Sequence, residues 1–416
     1  MRGEGAGGMC RIGLPLLLWF VLSIVSSQAL PVTGLGESDS RRIPCIVMGD
    51  VVQAPYNPFT ALFMQDPLFR YTLYPVPHLG DAEKRKLDRV YYPRTFDSLV
   101  DSYDVMIFRD ARVSHFSPAQ FRDLERAFRE AGMVSVTVHS LSWNDVWLPT
   151  ILYDLSPISG YDFRFSASWR VMFRRDRDPV FLPFIDLGIE RVTGWEYGVP
   201  EAKEGATIWA DMVPQGCPWL VSWRPGGTSA GLQWVFADKF DVTWWGTAPE
   251  ARETNPYALD LATNLLLYSL DRDLISDIPA RREARRLLST FQSRKILILS
   301  VLDWAEKFGA NILDLTNRLS ELERKAGAAV DDYLDQDYAS TIQFMESMLS
   351  EATEMTTAAL QRKDQALYWV YVSEWLSVTS ASVLAGALVW SLMVRRQKYR
   401  EAGRTRLRMS LLCACS

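Results

Sequence analysis

At residues 133–147 the chain reads MVSVTVHSLSWNDVW, an apolar, β-branched run from Met133 to Val138 that stops at His139 and Ser140. A serine hydroxyl beside an imidazole, where a strand gives way to a turn, has the layout of a nucleophile elbow. The serine would need a base, and strand neighbours such as His139 point to opposite faces. The chain has three histidines, His78, His115 and His139, and none follows His139. Two further apolar segments end on acids, IPCIVMGD at Asp50 and YDVMIFRD at Asp110. Carboxylates paired at one sheet edge can bind a cation or divide acid and base work. They can equally cap neighbouring helices and loops, and a single histidine there can be purely structural.

Tryptophan supplies a second kind of chemistry. Ten of the fifteen tryptophans lie between Trp143 and Trp245, with Trp244 and Trp245 shortly after Asp238. Exposed indoles beside carboxylates suit sugar rings, whereas buried ones fill a sheet–helix core. The candidate ligand cleft therefore comprises Asp50, Asp110, His139, Ser140, Trp143, Asp238 and Trp244, with a carbohydrate as one ligand class. None is assigned as catalytic. RPGGTSAG (Arg224–Gly231) lies between two strands, and a phosphate-cradling loop should open a helix, so a hairpin turn is expected. No cofactor motif and no Cys/His metal spacing is present.

The elements that would position these residues follow from periodicity. Ser117 and Pro118 open a helix whose apolar face is Phe121, Leu124, Ala127 and Phe128, and Gly132 closes it. Strands on either side imply a parallel crossover, which places Asp110 and His139 at the carboxyl ends of neighbouring strands. From about 162 to 245 the texture is β-rich, and NPYALDLATNLLLYSL (255–270) reads as a helix packed back on the sheet.

Three stretches together carry a family resemblance. They are FDSLVDSYDVMIFRDARVSHFSPAQFRDLERAFREAGMVSVTVHS, RVTGWEYGVPEAKEGATIWADM, and PWLVSWRPGGTSAGLQWVFADKFDVTWWG with the helix after it. Residues 43–275 resemble the class I glutamine amidotransferase-like superfamily, in particular its membrane-anchored, extracytoplasmic members. The resemblance implies an α/β fold with a flavodoxin-like, mostly parallel sheet. Catalytic members carry Gly-x-Cys-x-Gly at the elbow and a His-x-Glu after it. The matching residues here are Val138-His139-Ser140-Leu141-Ser142, with no cysteine and neither glycine, so the resemblance implies a non-catalytic domain.

Beyond Pro279 turn signals are scarce. Ile298, Leu302, Ala305, Ile312, Leu315, Leu319 and Leu322 keep three/four spacing, as do Leu334, Tyr338, Ile342, Met345, Leu349, Ala352, Met355 and Ala359. Two long helices with a break near 326–332 are expected over 280–374. They would pair as an antiparallel hairpin or, in a coiled coil, with a second copy.

The chain ends address a membrane. Arg2 and Arg11, the run IGLPLLLWFVLSIV and the small residues of SSQAL read as a secretory signal over 1–29, or as an uncleaved anchor. Residues 375–394, WLSVTSASVLAGALVWSLMV, carry no charge and at ~1.5 Å per residue span ~30 Å of hydrocarbon. The tail, 395–416, holds seven basic residues against Glu401, a charge of +6, so the total of −5 leaves −11 for the rest. Tail charge of this kind keeps the C-terminus inside, while so acidic a remainder lacks a nucleic-acid footprint. Outside the cytoplasm Cys45 and Cys217 could form one disulfide.

The expected protein is thus a single-pass cell-membrane protein exposing a degenerate amidotransferase-like domain as a binding module at the cell surface. A subunit of a membrane transport or envelope complex, docking through the 280–374 stalk, is one alternative. A divergent hydrolase using Ser140 or the Asp50/Asp110 pair is the other.

Overall fold

The computed structural model describes residues 40–49, 66–75, 86–87, 90–109, 116–138, 150–175, 178–189, 193–237 and 257–413. The first elements alternate: β1 (Ile43–Gly49), β2 (Phe69–Pro75), α1 (Phe96–Ser102), β3 (Val105–Arg109), α2 (Pro118–Arg129), β4 (Val134–Val138) and α3 (Ile151–Leu155). A β-rich segment follows, with β5 (Ile158–Phe173), α4 (Leu182–Ile185), β6 (Thr193–Ala202), β7 (Thr207–Val213), β8 (Cys217–Trp223) and β9 (Gln233–Phe236). Four helices complete it: α5 (Ala258–Ser269), α6 (Ile278–Lys307), α7 (Leu313–Leu334) and α8 (Tyr338–Cys413).

The strands form one nine-stranded sheet in the order β2-β1-β3-β4-β9-β8-β7-β5-β6. Pairing is parallel from β2 through β9 and antiparallel from β9 to β6. The central parallel strands β1, β3 and β4 are mostly apolar because both of their faces are covered, whereas the edge strand β2 exposes Arg70 and Tyr71. One face buries Ile46, Met48, Met106 and Phe108 against Leu99 of α1, Leu124 and Phe128 of α2, and Leu152 of α3. The other buries Val47, Ile107 and Val136 in a core that takes in α5 and continues through α6, α7 and α8 as far as Ala359. That face of the sheet and helices α5 to α8 therefore share one hydrophobic interior.

Helix α2 starts as its sequence requires. The Ser117 hydroxyl accepts from the Gln120 N–H at 3.3 Å, and the Gln120 side chain accepts from the Ser117 N–H at 2.7 Å. This reciprocal cap satisfies two donors that the first turn leaves open.

The glycine-rich segment after β8 is a strand-to-strand connection, docked under the amino ends of β4 and β9. Arg129 donates to the Pro225 carbonyl at 2.7 Å, and the Gln233 amide donates to the Gly231 carbonyl at 2.9 Å. A Cβ on Gly231 would fall 1.8 Å from the Met133 carbonyl oxygen, a backbone atom that cannot swing away. Gly227 has φ +88° but open space around it. Gly231→Ala should therefore cost about 3 kcal/mol of stability, against about 1 kcal/mol for Gly227→Ala. Urea unfolding followed by tryptophan fluorescence would check the difference, and equal midpoints would refute the close-approach account.

The helical part differs from the expected two-helix hairpin. Gly327 lies inside α7, and no break occurs at 326–332. Ala326 and Ala329 are buried, so these small residues serve packing between helices and do not mark a turn. The chain turns instead at 308–312 and 335–337, which makes three helices. At the first turn Gly309 takes φ +82°, and the Ala310 N–H bonds to the Ala305 carbonyl at 3.1 Å, closing α6. At the second, Gln336 takes φ 63°, and the Asp337 carboxylate then caps α8 by accepting from the Ser340 N–H at 3.1 Å. A non-glycine residue in the left-handed region gives no sequence signal.

Cross-links fix the bundle. Lys295 of α6 meets Glu323 of α7 at 2.6 Å, Arg318 of α7 meets Glu351 of α8 at 3.9 Å, and Arg294 of α6 bonds Thr353 of α8. Helix α6 thus runs parallel to α8, with α7 antiparallel to both. Helix α8 continues past the bundle, and within Tyr338–Ala402 it is long and apolar enough to cross a membrane. Its side chains from 373 to 394 are all exposed. The signal expected over residues 1–29 lies outside the described residues.

The bond considered between Cys45 and Cys217 does not form. Cys45 is on β1 and Cys217 on β8, with β3, β4 and β9 between them. Four strand spacings amount to ~19 Å, far beyond the ~7 Å Cα separation that a disulfide spans.

Candidate functional site

The parallel strands end in register. Gly49 of β1 faces Arg109 of β3, Arg109 faces Val138 of β4, and Val138 faces Phe236 of β9. In open α/β sheets this carboxyl edge is where ligands bind. The candidate residues Asp50, Asp110, His139, Ser140, Trp143, Asp238 and Trp244 all lie outside the described residues. What the structure does bring together is the row of strand ends after which Asp50, Asp110 and His139 follow in sequence.

Two features of this edge escape a reading of the sequence. Arg109 ends β3 with its side chain almost wholly buried, a cation set at the edge beside the strand ends. The only sequence cue is its place between an apolar run and Asp110. The β5–β6 arm also bends back, so that the Gly198 N–H bonds to the Ala237 carbonyl at 2.6 Å, just past β9. The ring of Tyr161 lies across Gly198, where a Cβ would fall 1.9 Å from the ring. Glycine is required there so that the arm can close against the edge.

Below the edge, a cavity of about 20 Å³ is lined by Phe108, Ser135, Thr137, Leu152, Ser156 and Gln233, among others. It has room for a single water. The Ser135 hydroxyl bonds the Gln233 side chain across β4 and β9, so the polar groups hold the strands together more than they recognise anything. Among the described residues no group of histidine, cysteine and carboxylate side chains could hold a metal ion.

The strongest electrostatic feature lies where the sheet meets the helices. Arg281 and Arg285, one turn apart at the start of α6, share the carboxylates of Asp66 and Asp260, and all four side chains are buried. Arg281 bridges both acids, while Arg285 grips Asp260 with two bonds of 2.6 and 2.9 Å. Asp66 precedes β2 and Asp260 lies in the first turn of α5, so three separate segments converge. The ring of Tyr333, from α7, lies 5.6 Å from the Arg281 guanidinium and packs edge-on to Tyr338 of α8. Two cations balance two anions. Burial disfavours charged Arg281, but the facing Asp66 and Asp260 carboxylates outweigh it and hold the guanidinium protonated. Burial pushes the Tyr333 hydroxyl well above its usual range, and that hydroxyl has no hydrogen-bond partner among the described residues.

This cluster was missed in the sequence, although the i, i+4 spacing of Arg281 and Arg285 places them on the same stripe as Ile278 and Leu288. It is closed to solvent and can bind no substrate; its role is to set geometry. Four tryptophans of the sheet act likewise. Trp169, Trp209, Trp219 and Trp234 are buried core residues, not ligand platforms. No family model matches the chain, and no curated protein matches it.

Proposed function

We propose that this chain is a membrane-anchored, non-catalytic interaction module. A flavodoxin-like, glutamine amidotransferase-like α/β domain would be held outside the cytoplasm on the α6–α8 bundle, with α8 as its single span. The observation that carries this reading is the closed Asp66/Asp260/Arg281/Arg285 joint, which fixes the domain to α6, and α6 in turn packs along α8 through Arg294–Thr353 and Trp304–Lys363. The order β2-β1-β3-β4-β9 supports the fold assignment, since it is the doubly wound order 2-1-3-4-5. The basic residues that follow residue 394 favour a cytoplasmic C-terminus. The absence of any histidine after His139 removes the base that an amidotransferase triad needs.

Turnover assays test the reading. The full-length protein in detergent should hydrolyse glutamine, activated esters and peptide amides no faster than its Ser140→Ala variant. A rate lost on Ser140→Ala, or on combined Asp50→Asn and Asp110→Asn, would make the domain a hydrolase and overturn the proposal.

A second reading, a subunit of a membrane complex, is favoured by one feature. Ile296, Leu297 and Leu299 of α6 are each roughly half exposed, on a stretch whose remaining apolar residues are packed inward. On that reading Ile296→Asp with Leu299→Asp should abolish chemical crosslinks formed by the wild-type protein in its native membrane. The unfolding midpoint should stay unchanged.

A further inference from the structure

We propose that the tip of the helical bundle, the α6–α7 turn with Phe308 and Leu313, rests on the outer surface of the lipid bilayer as a second point of membrane contact. The inference rests on the reading of α8 as a membrane span and extends it to a part of the chain far away in sequence.

The tip has a defined height along α8. Trp304, one turn before the end of α6, has the Lys363 ammonium 5.1 Å from its ring centre. Arg362 reaches the Asn311 carbonyl at 3.3 Å and the Asp314 carboxylate at 3.2 Å on the far side of the turn. Ala366 is still buried, and Leu367, Val370 and Val372 are partly covered, whereas every residue from 373 to 402 is exposed. The packed bundle therefore stops at about Val370.

The apolar belt of α8 begins at the same height. From Ala366 to Val394 the sole charge is Glu374, and Tyr368, Trp369, Tyr371 and Trp375 all stand exposed. Such residues favour the water–lipid interface. The five residues from Val370 to Trp375 rise ~7.5 Å, close to the ~5–7 Å of polar headgroup layer on each side of the hydrocarbon. The tip is thus level with the outer headgroups.

Its side chains fit that position. Phe308 is 40% exposed and Leu313 66% exposed, although each sits where a soluble turn would carry polar groups. The Phe308 ring stacks on Trp304 at 4.3 Å, making an aromatic pair at the end of the bundle. A lipid surface is the occupant that needs no additional molecule, because α8 already brings it there. Two contacts, one a span and one a resting tip, would restrict the tilt of the bundle and hence of the sheet domain.

The test is the depth of spin labels in the full-length protein, reconstituted in phosphatidylcholine/phosphatidylglycerol vesicles. Labels go on Leu313→Cys, on Val383→Cys in the span and on Ser320→Cys, an exposed site two turns along α7. Cys10, Cys413 and Cys415 are replaced by serine, and the buried Cys45 and Cys217 remain. Collision with oxygen against a water-soluble nickel chelate reads the depth. Leu313→Cys should show an oxygen preference several-fold above that of Ser320→Cys and below that of Val383→Cys, with Phe308→Cys behaving alike. Equality of the Leu313 and Ser320 labels, with Val383 in the bilayer, would overturn the tip contact alone. A water-accessible Val383 label would overturn the span and the tip contact with it. Dipolar broadening between Leu313 labels would place a second copy there and overturn the lipid assignment.

Discussion

Arg281→Met should destabilise the folded chain by about 3–5 kcal/mol, the usual consequence of leaving a buried charge without its partner. The methionine keeps most of the apolar stem, so the loss is electrostatic. Asp66 and Asp260 would be left with Arg285 alone, which bonds Asp260 closely and lies 3.7 Å from Asp66. The loss should appear together in two signals, the fluorescence of the buried sheet tryptophans and the helical circular dichroism. Sheet, α5 and the bundle share both this joint and one core. Helix unfolding at lower denaturant than the sheet in the wild-type protein would contradict a shared unit. Tyr333→Phe is the contrasting case. It removes a buried hydroxyl that lacks a hydrogen-bond partner among the described residues, and should be neutral within about 1 kcal/mol.

Trp234→Ala should cost about 3–5 kcal/mol, as for other fully buried aromatic residues cut to alanine. Trp234 is central in the sheet, on β9, between its parallel and antiparallel halves. Its ring packs 5.4 Å from Trp209, which in turn meets Phe181 and Tyr268 at 5.6 Å each. Its indole N–H donates to the Ser269 hydroxyl at 2.7 Å, and that hydroxyl donates back to the Leu265 carbonyl at 2.6 Å. The indole therefore ties the sheet to α5 by packing and by a hydrogen bond. Trp234→Phe should recover most of the packing and lose about 1 kcal/mol for the bond. Denaturant midpoints would order the three proteins as wild type, Phe, Ala. Near-ultraviolet circular dichroism should lose the Trp209–Trp234 coupling in both variants. An alanine variant as stable as the phenylalanine one would show that the ring contributes little.

The sequence by itself determined the local elements and which of their faces turn inward. Val105–Arg109 and Val134–Val138 are strands because their apolar runs are short and β-branched, and α2 begins at Ser117 because its cap residues specify it. The helix long and apolar enough to cross a membrane was legible for the same reason. These features depend on neighbours a few residues apart. Only the tertiary structure decided what joins them. Asp66 and Arg281 are 215 residues apart in the chain, so nothing local distinguishes them from solvated charges. Gly231 looks like any turn glycine until the Met133 carbonyl is placed against it. The turn at Gln336 was invisible because its positive φ is imposed by the packing of α7 and α8, while the small residues near Gly327 imitated a break. Residues such as Asp50, Asp110, His139 and Ser140 remain candidates because their strands end together, a consequence of register across β1, β3 and β4. Register, burial and charge pairing are properties of distant segments brought into contact, and periodicity along one chain does not encode them.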